Sequence, residues 1–145
     1  MKKLLLITWL IIGSMGSLLA QPAAYVSFSP ADLGLGMRVD MPFNHFGAYI
    51  VATEGNYKFA EDWYVKNHIK LAVGGILYNK SDSFYSMGLS YHTYGEVKSP
   101  YEMPRKALMP ISFEVGTGIY LGRLCTAIRV DPLKWDVMLD VGIRF

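Results

Sequence analysis

Ser90-Tyr91-His92, with Glu96 four residues on, holds the three side-chain types that acyl transfer needs. A hydroxyl attacks, an imidazole takes its proton and a carboxylate orients the imidazole. In an extended chain residues two apart share a face, so Ser90 and His92 can meet. Ser-x-His is also a common chance pair, and only the mutual geometry of the groups makes it a site. Other chemistry-bearing residues are sparse. Cys125 is the only cysteine, and His45, His68 and His92 are scattered, so no intramolecular disulfide and no metal-ligand cluster is expected. No cofactor is implied. No basic tract suggests nucleic acid as a partner.

The elements that must position Ser90 and His92 are strands. Apolar and polar residues alternate through eight segments separated by turn signals, and no amphipathic helix interrupts them. Leu33, Leu35, Met37, Val39 and Met41 oppose Gly34, Gly36, Arg38 and Asp40, and Ile69, Leu71, Val73, Gly75 and Leu77 oppose His68, Lys70, Ala72 and Gly74. Tyr85, Met87, Leu89 and Tyr91 oppose Ser86, Gly88, Ser90 and His92. The same pattern covers 24–28, 111–121, 124–131 and 137–145, whereas 46–54 is apolar on both faces and stays unoriented. Connections at 29–32, 55–67, 95–110 and 132–134 alternate with turns of two to five residues, so the two longest, 55–67 and 95–110, fall on one side. The expected fold is all-β, an eight-stranded antiparallel up-and-down barrel with short turns at one end and longer loops at the other.

Two functional classes follow from which face points outward. A soluble lipocalin-like barrel, secreted or periplasmic, turns its large apolar face inward around a small apolar ligand. A transmembrane barrel turns that face toward lipid. The polar face decides between them, because Gly34, Gly36, Gly74, Gly88, Gly116, Gly118 and Gly142 all lie on it. Glycine on a solvated strand only weakens it. Inside a cylinder of eight strands, small residues make room for a few large ones. The charges on this face nearly balance, so Arg38, Lys70, Glu114, Arg129 and Asp140 are expected to form an ion-pair network in the lumen, centred on Glu114. Aromatics gather at strand ends, with Phe28, Tyr57, Phe59, Trp63, Tyr64, Tyr94, Tyr101 and Trp135 toward the loops and Phe43, Phe46, Tyr78, Phe84, Tyr120 and Phe145 toward the turns, as interfacial girdles do.

The amino terminus agrees with export. Lys2-Lys3, the apolar run 4–12 and the small-residue stretch ending at Ala20 have the layout of a cleaved signal peptide, residues 1–20, leaving 21–145 as the barrel domain. The run is short for a spanning helix. The chain has 14 basic and 12 acidic side chains, and Lys2 and Lys3 account for the excess.

The carboxyl-terminal strand, with Leu139, Val141, Ile143 and Phe145 at alternate positions, resembles the terminal signal of bacterial outer-membrane barrels, although Ile143 stands where that family often has an aromatic. The whole of 21–145 is similar in architecture to the small eight-stranded barrels typified by the OmpA membrane domain and OmpX. The resemblance implies a porin-like fold in a Gram-negative outer membrane, contact with its lipid and lipopolysaccharide, and recognition of the last strand by the barrel assembly machinery. The expected role is non-enzymatic, structural or surface-interacting through 55–67 and 95–110, with a closed lumen and an external partner that the sequence does not identify. The hydrolase reading then becomes a lipid A deacylase. It conflicts with strand parity, which turns Ser90 and His92 inward. Mass spectrometry of the intact purified protein should place the first residue at Gln21; a mass retaining Lys2 and Lys3 would show an uncleaved anchor instead.

Overall fold

Period-two alternation punctuated by Pro, Gly and Asx clusters produces antiparallel strands. The computed structural model describes residues 21–30, 34–43, 45–60, 63–79, 82–98 and 109–145, without the side chains of 57–60, 63–66 and 96–98. The expected leader, residues 1–20, lies outside the described residues, as does 99–108 of the expected loop. The strands are β1 (Ala23–Ser29), β2 (Gly34–Phe43), β3 (Phe46–Ala60), β4 (Trp63–Asn79), β5 (Ser83–Thr93), β6 (Glu96–Lys98), β7 (Ile111–Leu121), β8 (Leu124–Asp131) and β9 (Asp136–Arg144). β6 continues β5 along the same side of β4 after a bend at Tyr94 and Gly95, so the nine segments make eight staves.

Each stave pairs with its sequence neighbours, and β1 pairs with β9, which closes an up-and-down cylinder. The register followed once around it, from Ala23 through Asp40, Tyr49, Gly74, Gly88, Glu114, Asp131 on β8 and Asp136 on β9, comes back to that of β1 shifted by about eight residues. Eight strands with that stagger tilt by about 36° and leave an interior that side chains can fill. The two-residue connection between β7 and β8 turns at Gly122, whose φ of +67° is what such a hairpin needs at its first position.

Pairing orients the segment that periodicity left open. Tyr49, Val51 and Thr53 point inward, and Phe46, Ile50 and Glu54 point outward. The expected connection 55–67 is corrected: β3 and β4 run on through it, with register shifts between Gly55 and Tyr57 and between Lys58 and Ala60. Tyr57, Phe59, Trp63, Tyr64 and Val65 are strand formers, and they extend the ladder past Glu54, where pairing with β2 stops at Leu35. Asn67 takes the left-handed bend at this shift, φ 52°, and its N–H donates to Asn56 Oδ1 at 2.7 Å. The connection 95–110 is shortened in the same way by β6.

Gly74 and Gly88 face each other across β4 and β5, and a Cβ would run into the Tyr49 ring at Gly74 and into the Tyr49 hydroxyl at Gly88. The paired glycines therefore hold the space that this tyrosine fills. Gly75, on the outer face, has open space around its missing side chain. Gly88→Val should lower the urea midpoint of the detergent-refolded barrel by the equivalent of about 1–3 kcal/mol through overpacking. Gly75→Val should leave it within about 0.5 kcal/mol or raise it. Equal effects would show that Tyr49 does not occupy the gap.

Candidate functional site: a lumen filled by charge

Alternation on a tilted cylinder sends every second side chain to the axis, and the axis is where the charges are. Arg38, Asp40, Lys70, Glu114, Arg129 and Asp140 are all fully buried. Arg38 reaches Asp40 through two nitrogens, at 2.6 and 3.1 Å, and Asp140 at 3.0 Å. Arg129 holds Asp140 through two nitrogens, at 2.7 and 2.9 Å, and Glu114 at 2.6 Å. Lys70 Nζ lies 2.9 Å from Glu114 Oε2 and 3.7 Å from Asp136, with the Met138 sulfur at 2.9 Å. Tyr49, Ser27 and Ser29 donate to Glu114, Asp140 and Asp136 at 2.9, 2.6 and 2.7 Å.

The chain of contacts thus runs Asp40, Arg38, Asp140, Arg129, Glu114, Lys70, Asp136, crossing the lumen from β2 to β9 to β8 to β7 to β4. Its centre differs from the expected one: Arg38 reaches Asp140 rather than Glu114, and Asp140 joins the two arginines. Rings of Tyr25, Tyr49 and Phe84 surround the Arg38 guanidinium at 5.0, 4.7 and 5.3 Å. Cation–π attraction there supplements the ion pairs where water is excluded.

The lower end of the lumen is aromatic. Phe84 and Tyr120 are buried with centroids 5.2 Å apart, Tyr78 packs beside both, and Arg144 lies over Tyr120 at 4.7 Å. These three rings belong to the interior, which corrects their assignment to the turn-end girdle. Height along the strand had suggested the girdle; side-chain parity puts them inside. Tyr94 also leaves the girdle, stacking on His68 at 4.8 Å.

A second cluster closes the loop end. Ser112 donates to Asp131 at 2.6 Å, and Asp131 also accepts the N–H groups of Leu133 and Lys134 at 3.1 and 3.0 Å, which fixes the turn into β9. His92 and His68 are linked ring to ring, Nδ1 to Nε2, at 3.0 Å. Lys134 Nζ donates to Tyr94 Oη at 3.1 Å and to the Met109 carbonyl at 2.6 Å. Partial burial pushes the Lys134 ammonium below its ordinary value, against the opposing pull of Asp131. Sequence reading missed this cluster. Asp131-Pro132 as a side-chain-capped turn was its available signal.

Ser90 and His92 meet here, but not as a nucleophile relay. Ser90 Oγ lies 3.0 Å from His92 Nε2, and Asp131 Oδ2 lies 3.4 Å from the same nitrogen. A relay needs the acid on the opposite nitrogen, which His68 occupies. Both residues are buried in the lumen, remote from the outer face, and the Glu96 side chain lies outside the described residues. Among the described residues no group of His, Cys, Asp and Glu is arranged to hold a metal ion. At the carboxyl end Leu139, Val141, Ile143 and Phe145 all face outward, and the Phe145 N–H donates to the Pro22 carbonyl at 2.9 Å. No family model, curated protein or solved structure shows significant similarity to the chain.

Glu114 balances two cations, so Glu114→Gln should leave Lys70 and Arg129 undercompensated and lower stability by on the order of 3 kcal/mol in urea titration. Adding Lys70→Met should recover part of that loss. Planar-bilayer recordings of the wild-type protein should be silent. An unchanged midpoint in Glu114→Gln, or reproducible single-channel steps from the wild type, would show a solvated, open interior.

Proposed function

We propose that the protein is a bacterial outer-membrane barrel of the OmpA and OmpX architectural kind, non-enzymatic, acting as a structural or surface-contact element through the loop end of the cylinder. One observation carries this reading: the polarity of the barrel is inverted relative to a water-soluble protein. Leu35, Met87 and Leu89 are exposed at 61, 68 and 63 %, and Val26, Ile50, Leu71, Val73, Val115, Ile128, Leu139 and Val141 share the same outer surface. The three basic residues of the lumen network are fully buried. So large and continuous an apolar surface is unfavourable in water and suits hydrocarbon.

Further support comes from dimensions and ends. From Ile69 to Leu77 the outward row of β4 rises about 26 Å along the strand, or about 20 Å after tilting, close to the ~25 Å apolar band of such barrels. Phe28, Tyr91 and Trp135 stand outward toward the loop end, and Phe43, Phe46, Tyr85 and Phe145 toward the turn end, where amphipathic rings meet headgroups. In this reading lipid and lipopolysaccharide are the surroundings. The strand bearing Leu139, Val141, Ile143 and Phe145 is what the assembly machinery engages, and residues 1–20 are the export signal. The charged lumen does not suit the runner-up, a soluble barrel around an apolar ligand, because Arg38, Lys70 and Arg129 fill the space that ligand would need.

Leu89 lies near mid-height on the outer face. Leu89→Arg should destabilise the barrel refolded into lipid vesicles by about 2–4 kcal/mol. The wild type should stay in the membrane pellet after washing with high salt. Release of the wild type by salt, or a Leu89→Arg protein as stable as its parent, would return the soluble barrel as the better reading.

A further inference from the structure

Gly75 is a glycine without an internal reason. Gly36, Gly74, Gly88, Gly116, Gly118 and Gly142 face inward, and a Cβ on any of them would come within 3.0 Å of a neighbouring atom. At Gly75 a Cβ would meet only the Gly47 carbonyl oxygen, at 3.9 Å. Its φ is not positive, and it pairs with Ala48 and Met87 in unbroken register, so it serves neither a turn nor a bulge. Glycine in a strand interior weakens the strand. Of its usual roles there, the one left to Gly75 is to let another backbone or a ligand come close from outside.

The outer surface around Gly75 carries a knob and a hole side by side. Ala48, directly across on β3, is also small, so two adjoining positions make a dent among Phe46, Ile50, Val73 and Leu77. Met87, directly across on β5, is 68 % exposed, more than any other apolar side chain of the strands among the described residues. With strands about 4.8 Å apart and tilted by about 36°, such cross-strand partners differ in height by about 3 Å. A flexible thioether side chain spans that offset.

We propose that the outer wall of β3, β4 and β5 is a docking surface for a second copy of the chain, with Met87 of each copy seated over Gly75 and Ala48 of the other. This pairing rests on the membrane reading. A bilayer gives every copy the same orientation, so two copies pair about a two-fold axis along the membrane normal and meet at equal heights. A knob and a hole at nearly one height, with the axis between them, complement their own images. Liquid acyl chains fill a dent or cover a bump alike and give a strand no cause to forgo a side chain. A folded neighbour does, because packing holds protein surfaces together in lipid and small residues let backbones approach. The area is also sufficient. Leu71, Val73, Leu77, Tyr85 and Leu89 are each about half exposed or more, and with Phe46 and Met87 they present on the order of the 800 Å² that one partner of a stable pair contributes.

The test is energy transfer between copies refolded together into lipid vesicles. Donor and acceptor dyes are attached to separate populations at Asp82→Cys, an exposed turn position, while the buried Cys125 stays unlabelled. Transfer should appear, and an excess of unlabelled parent chains should abolish it. Gly75→Leu fills the hole but keeps the fold, since the outer face has room for it, and should raise the dissociation constant about tenfold or more. Val141→Leu, an enlargement on the far wall beside the β1–β9 seam, should leave it unchanged. Oxidation should link Met87→Cys chains in pairs and leave Val141→Cys chains single. With protein that salt washing leaves in the vesicles, absence of transfer, transfer that Gly75→Leu does not weaken, or equal cross-linking at both cysteines would overturn the dimer and spare the membrane reading. Protein that salt removes from the vesicles would overturn both.

Discussion

Asp140 lies between two guanidinium groups, and the interior is organised around that carboxylate. It comes from the strand that closes the cylinder, binds Arg38 from β2 and Arg129 from β8, and takes a hydrogen bond from Ser27 on β1. One side chain therefore ties together the four staves around the seam. Two fully buried arginines cannot share a narrow lumen without anions placed to match their forks. Planar, bidentate pairing lets each guanidinium satisfy most of its donors at once. Removing one member leaves the rest charged and without water, which makes the network stiff as well as stable.

The volume constraint acts with the electrostatic one. Two arginines, a lysine and five aromatic rings occupy a space bounded by only eight staves, so the rest of the inner face must be small. Gly116 lies over the Arg129 side-chain stem and Gly118 against the Phe84 ring, as Gly74 and Gly88 lie against Tyr49. Each large side chain is matched by missing ones on a neighbouring stave. The outer face has no such limit and carries mostly branched and long apolar residues.

Much of this was legible from residue alternation. The all-β class, the eight-fold count, the inward face of β2, β4, β5, β7, β8 and β9, and the burial side of Arg38, Lys70, Glu114, Arg129 and Asp140 follow from period two and turn chemistry. β3 was not orientable, because Tyr49 and Val51 inside are as apolar as Ile50 outside. The strand extension through 55–67 was missed because Gly55 and Asn67 mimic a loop boundary when they mark a register shift. The partner choice of Arg38 depends on cross-strand register and stagger, which no single strand encodes. The same holds for the meeting of His68, His92, Asp131 and Lys134, drawn from β4, β5, β8 and a turn.

The seam between β1 and β9 has a kinetic meaning as well. Ser27 and Asp140 are 113 positions apart in the chain, yet they touch, and the pairing they belong to is what turns a curved sheet into a cylinder. The other pairings join staves adjacent in sequence, most of them across a short turn; this one must wait for loop closure over nearly the whole barrel. Until it forms, β1 and β9 each present a free ladder of N–H and C=O groups beside apolar side chains, the template on which chains join edge to edge. The barrel thus passes from its most aggregation-prone state to its most resistant in a single late step, and holding those two edges apart from other chains is the task any assisted folding of this protein must perform.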